Sequence, residues 1–506
     1  MTVDLPMAGP FISVRETHIG VVLLIGEWAY KLKKPVRTPF LDFSTRQRRL
    51  AACRREVELN RRLAPDVYLG VAEVTGVDGQ PCEHLVVMRR MPDDRRLATL
   101  LAIGAPVADP VRRLAKMVAT FHAGARRGPE ITAEGGRDAL RARWQEGFEE
   151  LARFRGTVLD AELAAELERR ALDFLDGREP LLAARQRAGR IVDGHGDLLT
   201  GDIFCLDDGP QVLDCLEFDD RLRYVDGLDD AAFLAMDLEY RGAPELGAQF
   251  MDWYAEFAGD PAPLALRHHY VAYRAAVRAK VACLRSEQGD AVLYDESRVE
   301  AGRYAGIAAR HLRAAGVRLV LVGGLPGTGK STVSGALAGE LGMVALSSDR
   351  VRKELHGLAP HQSAAAPYEQ GLYCPAATER TYTELLARAA RCLGQGESVV
   401  LDASWTHAAH RAAAAELARR AHAELVALQC TAPSEVVAQR LRERTGSVSD
   451  ADEAIGRALA AHADPWPQAA PIPTGGSVSD ALAAACLQCH QDSTRESPLR
   501  DEGSCV

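Results

Sequence analysis

Apolar and polar positions follow two different rhythms along this chain. In the first half, the apolar run 21–25, a Gly26-Glu27 turn and Trp28-Ala-Tyr-Lys-Leu-Lys33 predict a β-hairpin. Strand alternation places Lys31 and Lys33 on one face of its second strand, with Tyr30 and Leu32 on the other. A helical stretch over 45–63 carries Glu56 and Glu58, and strands are predicted over 71–77 and 84–91. Helices fill much of 106–190, where Leu114, Met117, Val118 and Phe121 repeat at helical spacing and make His122 a structural residue. A basic helix over 270–285 holds Arg274 and Arg278 at i,i+4; it reads as a wet face or as a phosphate-facing one. In the second half the apolar runs 319–322, 343–346, 397–402 and 424–430 alternate with helices, which predicts a parallel sheet. The expected boundaries are a first domain 1–290, a helical linker 291–316, a second domain 317–480 and a polar tail 481–506.

The most informative stretch follows run 319–322. It reads Gly324-Leu-Pro-Gly-Thr-Gly-Lys330-Ser331-Thr332, the G-x-x-x-x-G-K-[ST] phosphate loop set between a strand and a helix. Gly324, Gly327 and Gly329 let the backbone curl its N–H groups inward around Thr328, where a side chain would block a phosphate. The helix that follows offers its positive end to the same anion. Lys330 is placed for the β/γ-phosphates, and the Ser331 hydroxyl, followed by Thr332, for Mg²⁺. ATP and Mg²⁺ are therefore the expected cofactors.

Composition narrows the setting. A chain of 506 residues with 47% hydrophobic content has room for two or three cored domains. The net charge of -9 argues against a protein that coats nucleic acid. Its first residues show no basic region followed by an apolar segment, and no apolar run reaches the roughly 18 residues of a membrane span. Eleven scattered cysteines suit reduced thiols. The expectation is a cytoplasmic enzyme with no membrane partner.

Chemistry in the first half centres on His195-Gly-Asp197, with Asp202 five positions on and Asp214 ending the next strand. Asp197 is placed to take a proton from an acceptor hydroxyl, while Asp202 and Asp214 hold magnesium across the phosphates. This half resembles the aminoglycoside phosphotransferase and choline kinase family of protein-kinase-like folds. The resemblance covers about 16–238. It implies Lys31 as the phosphate lysine and Glu56 as its helix partner, with Lys33 and Glu58 as substitutes. The chain departs from that pattern in having no G-x-G-x-x-G before Lys31, and in having Asp202 where the family has a metal-binding Asn. Two unit charges about 4 Å apart cost roughly 4 kcal/mol at an effective dielectric near 20, which a bound cation offsets. After Asp214 come Glu217, Asp219, Asp220, Asp226, Asp229, Asp230, Asp237 and Glu239. They read as caps and solvated faces, or as an acidic wall for a cationic substrate.

In the second half, Asp349 stands at a strand end facing the phosphate loop, Arg352 one turn on, and Asp402 ends the next strand as a Walker-B-like carboxylate. Arg440 and Arg444 lie on one helix face, ahead of a lid-like 445–450. This set resembles the small P-loop kinases grouped with gluconate kinase, zeta toxins and phage polynucleotide kinases, over about 317–466. The resemblance implies Asp349 as base, Arg352 as substrate or phosphate contact, Asp402 as metal contact and Arg440 or Arg444 as the clamp. Structural readings stand beside these: Asp349 as a helix N-cap, Asp402 as a loop cap, the arginines as surface charges. Cys486-Leu-Gln-Cys489-His490 matches a haem-attachment string by chance at a helix end, and 493–506 is polar. The two halves in this order resemble a bacterial family of bifunctional aminoglycoside phosphotransferase-like/ATP-binding fusions. The resulting expectation is an α+β protein-kinase-like domain followed by an α/β P-loop domain with a doubly wound parallel sheet, two nucleotide sites and a small-molecule acceptor, cationic or a sugar. The alternatives are a kinase of nucleic-acid ends or nucleotide sugars, and a nucleotide-sensing regulator whose first half is a pseudokinase.

Overall fold

A computed structural model describes residues 12–16, 20–38, 41–287, 291–359, 362, 369–443 and 453–491. The chain forms two compact units: 1–167, 182–262 and 270–311 make the first, and 168–181, 263–269 and 312–506 the second. The helix Ala291–Ala314, expected as a linker, thus belongs to the first unit as far as His311. Its face carries the buried residues Ala301, Tyr304, Ala305 and Ala308, which a free linker would leave wet.

The first unit opens with a five-stranded antiparallel sheet in the order Ile12–Glu16, Gly20–Ile25, Trp28–Lys33, Pro81–Arg89, Tyr68–Thr75. Helix Arg46–Asn60 packs on it, started by Thr45, whose hydroxyl accepts from the Arg48 N–H at 3.3 Å. Cys53, Glu56, Val57 and Asn60 are its buried stripe at i, i+3, i+4 and i+7, so Glu56 points inward while Glu58 stays outside, paired with Arg55. Two short antiparallel strand pairs follow. Ile191–Asp193 pairs with Tyr224–Asp226, and Ile203–Leu206 with Gly209–Val212. Behind them, helices Ala108–Gly124, Gly227–Tyr240 and Pro244–Ala258 pack closely; a Cβ at Gly247 would lie 2.8 Å from the Ala235 carbonyl.

In the second unit the sheet is wholly parallel, in the order Val344–Ser347, Val399–Asp402, Arg318–Gly323, Glu424–Thr431, Ala470–Pro473. Its central strand is buried on both faces, as βα alternation requires. Leu319 and Leu321 pack with Leu385, Ala389 and Leu417 on one side; Val320 and Val322 pack with Val333, Leu337, Ala481 and Ala485 on the other. The sheet is therefore doubly wound. Helix Val478–Gln491 belongs to this core, correcting the expected polar tail from 481. Cys489 is buried there and Cys486 is its neighbour one turn back, so the C-x-x-C-H string is a packing stripe. The stretch 492–506 lies outside the described residues.

Equilibrium urea unfolding checks this core: Leu401→Ala, at a fully buried position, is expected to cost about 2–5 kcal/mol. Leu487→Ala, on the exposed side of the last helix, should change stability by less than about 0.5 kcal/mol.

Candidate functional sites

In the first unit, alternation sends Lys31 and Lys33 toward the helix, and both close on Glu56. Lys31 Nζ lies 2.9 Å from Glu56 Oε1, and Lys33 Nζ lies 2.6 Å from Oε2. Lys31 also donates to Asp214 Oδ1 at 2.6 Å, while the buried Lys33 pairs with Glu217. Burial works against the charge on both lysines, yet Asp214 and Glu56 raise the Lys31 pKa, and Glu56 is the chief group raising that of Lys33. Burial likewise opposes ionisation of Glu56, but the two ammonium groups hold it below the usual carboxylate range. Glu58 is excluded as the partner, and Lys33 shares the carboxylate with Lys31. Asp214 has a φ of 64°, a left-handed backbone uncommon outside glycine, and its side chain stays 46% exposed.

The His195–Asp202 segment is held by carboxylates on helix Gly227–Tyr240. Asp230 accepts from the N–H groups of His195 at 2.6 Å and Gly196 at 2.9 Å. A Cβ at Gly194 would meet its Oδ2 at 2.5 Å, so glycine is needed for that approach. His122 braces Asp230 at 3.0 Å and itself meets Tyr254 at 2.9 Å. Two turns on, Asp237 accepts from the Thr200 N–H and hydroxyl. Arg62 donates to the carbonyls of Asp193 at 3.0 Å and Gly194 at 2.7 Å. These positioning residues have a weak sequence signature, two aspartates seven apart on one helix.

The remaining acids have the same kind of role. Asp226 and Asp260 bracket the buried Arg185; Asp229 accepts from Arg274 Nε and Nη2 at 2.8 and 2.9 Å; Asp220 meets Arg223 at 2.6 Å; Glu239 meets His311 at 2.7 Å. Asp219 and Asp226 also cap the helices that follow them, as expected, and Asp220 stays half exposed, but most of the others are buried in ion pairs, and Arg274 neither faces water nor is free for a phosphate. Buried charges require partners, and here each acid has one.

Asp197 and Asp202 differ from these. Burial pushes Asp197 up to about 7, with Arg278 and Arg274 pulling it down and Asp214 pushing it up. Burial first, then the charges of Asp214 and Asp197, push Asp202 up to about 8. Lys31 holds Asp214 below its usual range. Among the described residues no group of three or more His, Cys, Asp or Glu is arranged to hold a metal ion. The donor set thus fits magnesium only in its usual manner, one or two carboxylates completed by phosphate and water.

In the second unit the loop glycines have positive φ: 136° at Gly324, 82° at Gly327 and 87° at Gly329. A Cβ at Gly324 would lie 2.7 Å from both the Cys430 carbonyl and Thr328 Oγ1. Lys330 Nζ reaches back to the Leu325 carbonyl at 3.1 Å, and Ser331 and Thr332 form the first turn of helix Lys330–Leu341. A cavity of about 360 Å³ lies here, lined by Gly327, Gly329, Lys330, Ser331, Thr332 and Arg440 among others. Arg440 donates to the Thr474 carbonyl at 2.6 Å, and its buried Nη1 has no partner; a Cβ on Gly329 would sit 3.5 Å from it. Thr474, bonded to the Thr328 carbonyl at 2.7 Å, had no sequence signal. Arg444 and 445–450 lie outside the described residues.

Asp349 is in the first turn of helix Ser348–Leu355, whose N-cap is Ser347, and it accepts from Arg352 at 2.6 Å. Asp402 ends its strand as expected and is buried. Both line a second cavity of about 450 Å³ together with Lys330, Ser331 and Arg352. No helix among the described residues is long and apolar enough to cross a membrane.

A carboxyl whose folded pKa lies above its unfolded value favours folding at low pH, and that advantage is lost as pH rises through the folded pKa. For Asp202 the window runs from about 4 to about 8. Without magnesium, Asp202→Asn should therefore melt higher than wild type at pH 8, by about 2–4 °C for each 1 kcal/mol relieved. The difference should shrink toward pH 5. Equal melting curves at pH 8 would contradict the strain assigned to Asp202.

Residues 319–465 match a family model described as an AAA domain. "Uncharacterized protein Rv2004c" of Mycobacterium tuberculosis and "Uncharacterized protein Mb2027c" of Mycobacterium bovis are each 44% identical over 467 residues, covering 92% of this chain and 93% of theirs. Among solved structures, a choline/ethanolamine kinase family protein from Mesorhizobium loti aligns at 15% identity and TM-score 0.37, over 62% of this chain and 95% of its own. A gluconokinase from Sinorhizobium meliloti 1021 aligns at 18% identity and TM-score 0.25, over 34% of this chain and 95% of its own. The fold itself rests on the strand order and loop geometry above. The chain belongs to the family of these mycobacterial proteins, and joins a unit built on a five-stranded antiparallel sheet to a P-loop unit.

Proposed function

We propose that the protein is an ATP- and Mg²⁺-dependent phosphotransferase acting on a hydroxyl of a small molecule, with a nucleotide site in each unit. The observation that carries the reading is the shared cavity of the second unit. Lys330 and Ser331 of the phosphate loop, Asp349, Arg352 and Asp402 all line it. A donor phosphate, a base and a metal-contacting carboxylate are needed within one space, and this cavity brings those side chains together. Bound magnesium neutralises phosphate charge; Ser331 and Asp402 would hold it in this unit, and Asp202 and Asp214 in the first. The chain's own groups supply the rest. Loop N–H groups and Lys330 grip the phosphates, Asp349 accepts the acceptor's hydroxyl proton, and Arg352 holds Asp349 in position. Arg440 places its unpartnered Nη1 beside the loop, where charge develops during transfer.

In the first unit, Lys31, fixed between Glu56 and Asp214, would hold the α/β-phosphates. Asp197, pushed up to about 7, is poised for proton transfer near neutrality. One observation favours a second reading for this unit, a nucleotide-sensing pseudokinase: the charge of Asp202, at the position where the resemblance implies a metal-binding Asn, is disfavoured.

ADP release against a small-molecule extract separates the readings. Lys330→Ala is expected to lose at least about 100-fold of the acceptor-dependent rate assigned to the second unit. Asp197→Ala should abolish a distinct acceptor-dependent activity while leaving that of Lys330 intact. No change in Asp197→Ala would make the first unit a sensor or scaffold; no acceptor-dependent release in wild type would refute phosphotransfer.

A further inference from the structure

We infer that the acceptor of the second unit is an uncharged or cationic polyhydroxy compound, such as a polyol, a sugar or an amino sugar, and that its cavity turns away sugar acids and phosphorylated sugars. The inference rests on the phosphotransfer reading of this unit and adds the acceptor's class.

Charge around the cavity is the first ground. Five carboxylates line it, those of Asp349, Glu369, Glu379, Asp402 and Asp464, against the two cations Lys330 and Arg352. Neither cation is available to an anionic acceptor. Lys330 is turned onto the phosphate loop at the Leu325 carbonyl, and Arg352 is neutralised by Asp349 at 2.6 Å. Asp464 accepts from the Ala408 N–H at 2.7 Å, at the start of the helix there. Away from the phosphate-loop end served by Lys330, a carboxylate or phosphate on the acceptor would meet like charge, with no Lys or Arg beyond Lys330 and Arg352 among the described lining residues to offset it. Hydroxyl and ammonium groups, by contrast, donate to carboxylates.

Buried polar chemistry is the second ground. His410 is held in the wall by stacking on Tyr382, with ring centres 3.8 Å apart, and its Nε2 meets Glu379 Oε2 at 3.0 Å. Its Nδ1 is buried with no hydrogen-bond partner. An orphaned buried ring nitrogen is costly unless a ligand satisfies it, and a hydroxyl does so as donor or acceptor. The neighbouring Glu379 carboxylate is mostly exposed, so the pair presents an imidazole and a carboxylate side by side. Tyr373, stacked under Arg352 at 4.6 Å, adds an aromatic wall suited to the apolar face of a sugar ring. At about 450 Å³ the cavity falls in the range of small-ligand sites.

The test uses the full chain carrying Asp197→Ala, so that the first unit contributes no transfer. A metabolite extract is split at neutral pH on a strong anion exchanger, and each fraction is assayed for stimulation of ADP release, with binding of a non-hydrolysable ATP analogue measured in parallel. Stimulation of about 10-fold or more in the unretained fraction is expected, with the KM for its active component raised about 10-fold by Glu379→Gln while kcat stays within about twofold. Stimulation confined to the retained fraction, including by oligonucleotides, would overturn the inference and leave phosphotransfer standing. An unchanged KM in both Glu369→Gln and Glu379→Gln would overturn it as well. Analogue binding without stimulation by either fraction would remove the phosphotransfer reading and the inference together.

Discussion

A charge can be fixed in a dry place only if an opposite charge is fixed beside it, and much of the first unit is organised by that rule. Glu56 is its clearest case: a fully buried carboxylate held by two lysines from one strand. The arrangement makes Lys31 rigid without spending it, because Lys33 carries the second carboxylate oxygen. Removing either lysine would leave Glu56 under-compensated, so the sheet and the helix stand or fall together. The acids after Asp214 extend the same logic through Arg185, Arg274 and His122, and it is this paired lattice that aims the His195–Asp202 backbone.

The second unit is built by other means. Here the backbone does most of the holding, with N–H groups gathered by three glycines whose conformations ordinary side chains disfavour. The parallel sheet brings the ends of neighbouring strands to that loop, which is why Asp402 and the Ser347-Ser-Asp349 turn arrive at the same cavity. The two units therefore differ in construction: one gathers buried ion pairs, the other backbone N–H groups.

Much of this was legible in the sequence wherever chemistry and local geometry coincide. The phosphate loop carries its own backbone requirements, whereas Glu56 and Glu58 stood as alternatives until the structure placed Glu56 on the buried stripe of Cys53, Val57 and Asn60. What could not be read were partners distant in the chain. Asp226 finds Arg185 and Asp229 finds Arg274, and nothing near those aspartates announces it. The edge strand Ala470–Pro473 escaped for a physical reason: two of its four residues are prolines, which donate no ladder bond and are tolerated because it has a neighbour on one side alone. Thr474, Arg440's nearest support, follows from that strand and was hidden with it. The helix Val478–Gln491 looked like a tail because its alanines and cysteines are small, yet these pack tightly against the sheet.

The central claim is that two separate pockets in one chain each hold a nucleoside triphosphate. Calorimetric titration with a non-hydrolysable ATP analogue and magnesium measures it directly. Two molecules per wild-type chain are expected, falling to one in Lys330→Ala and to one in Lys31→Met. A single molecule bound to the wild type, or two still bound after Lys31→Met, would contradict the account.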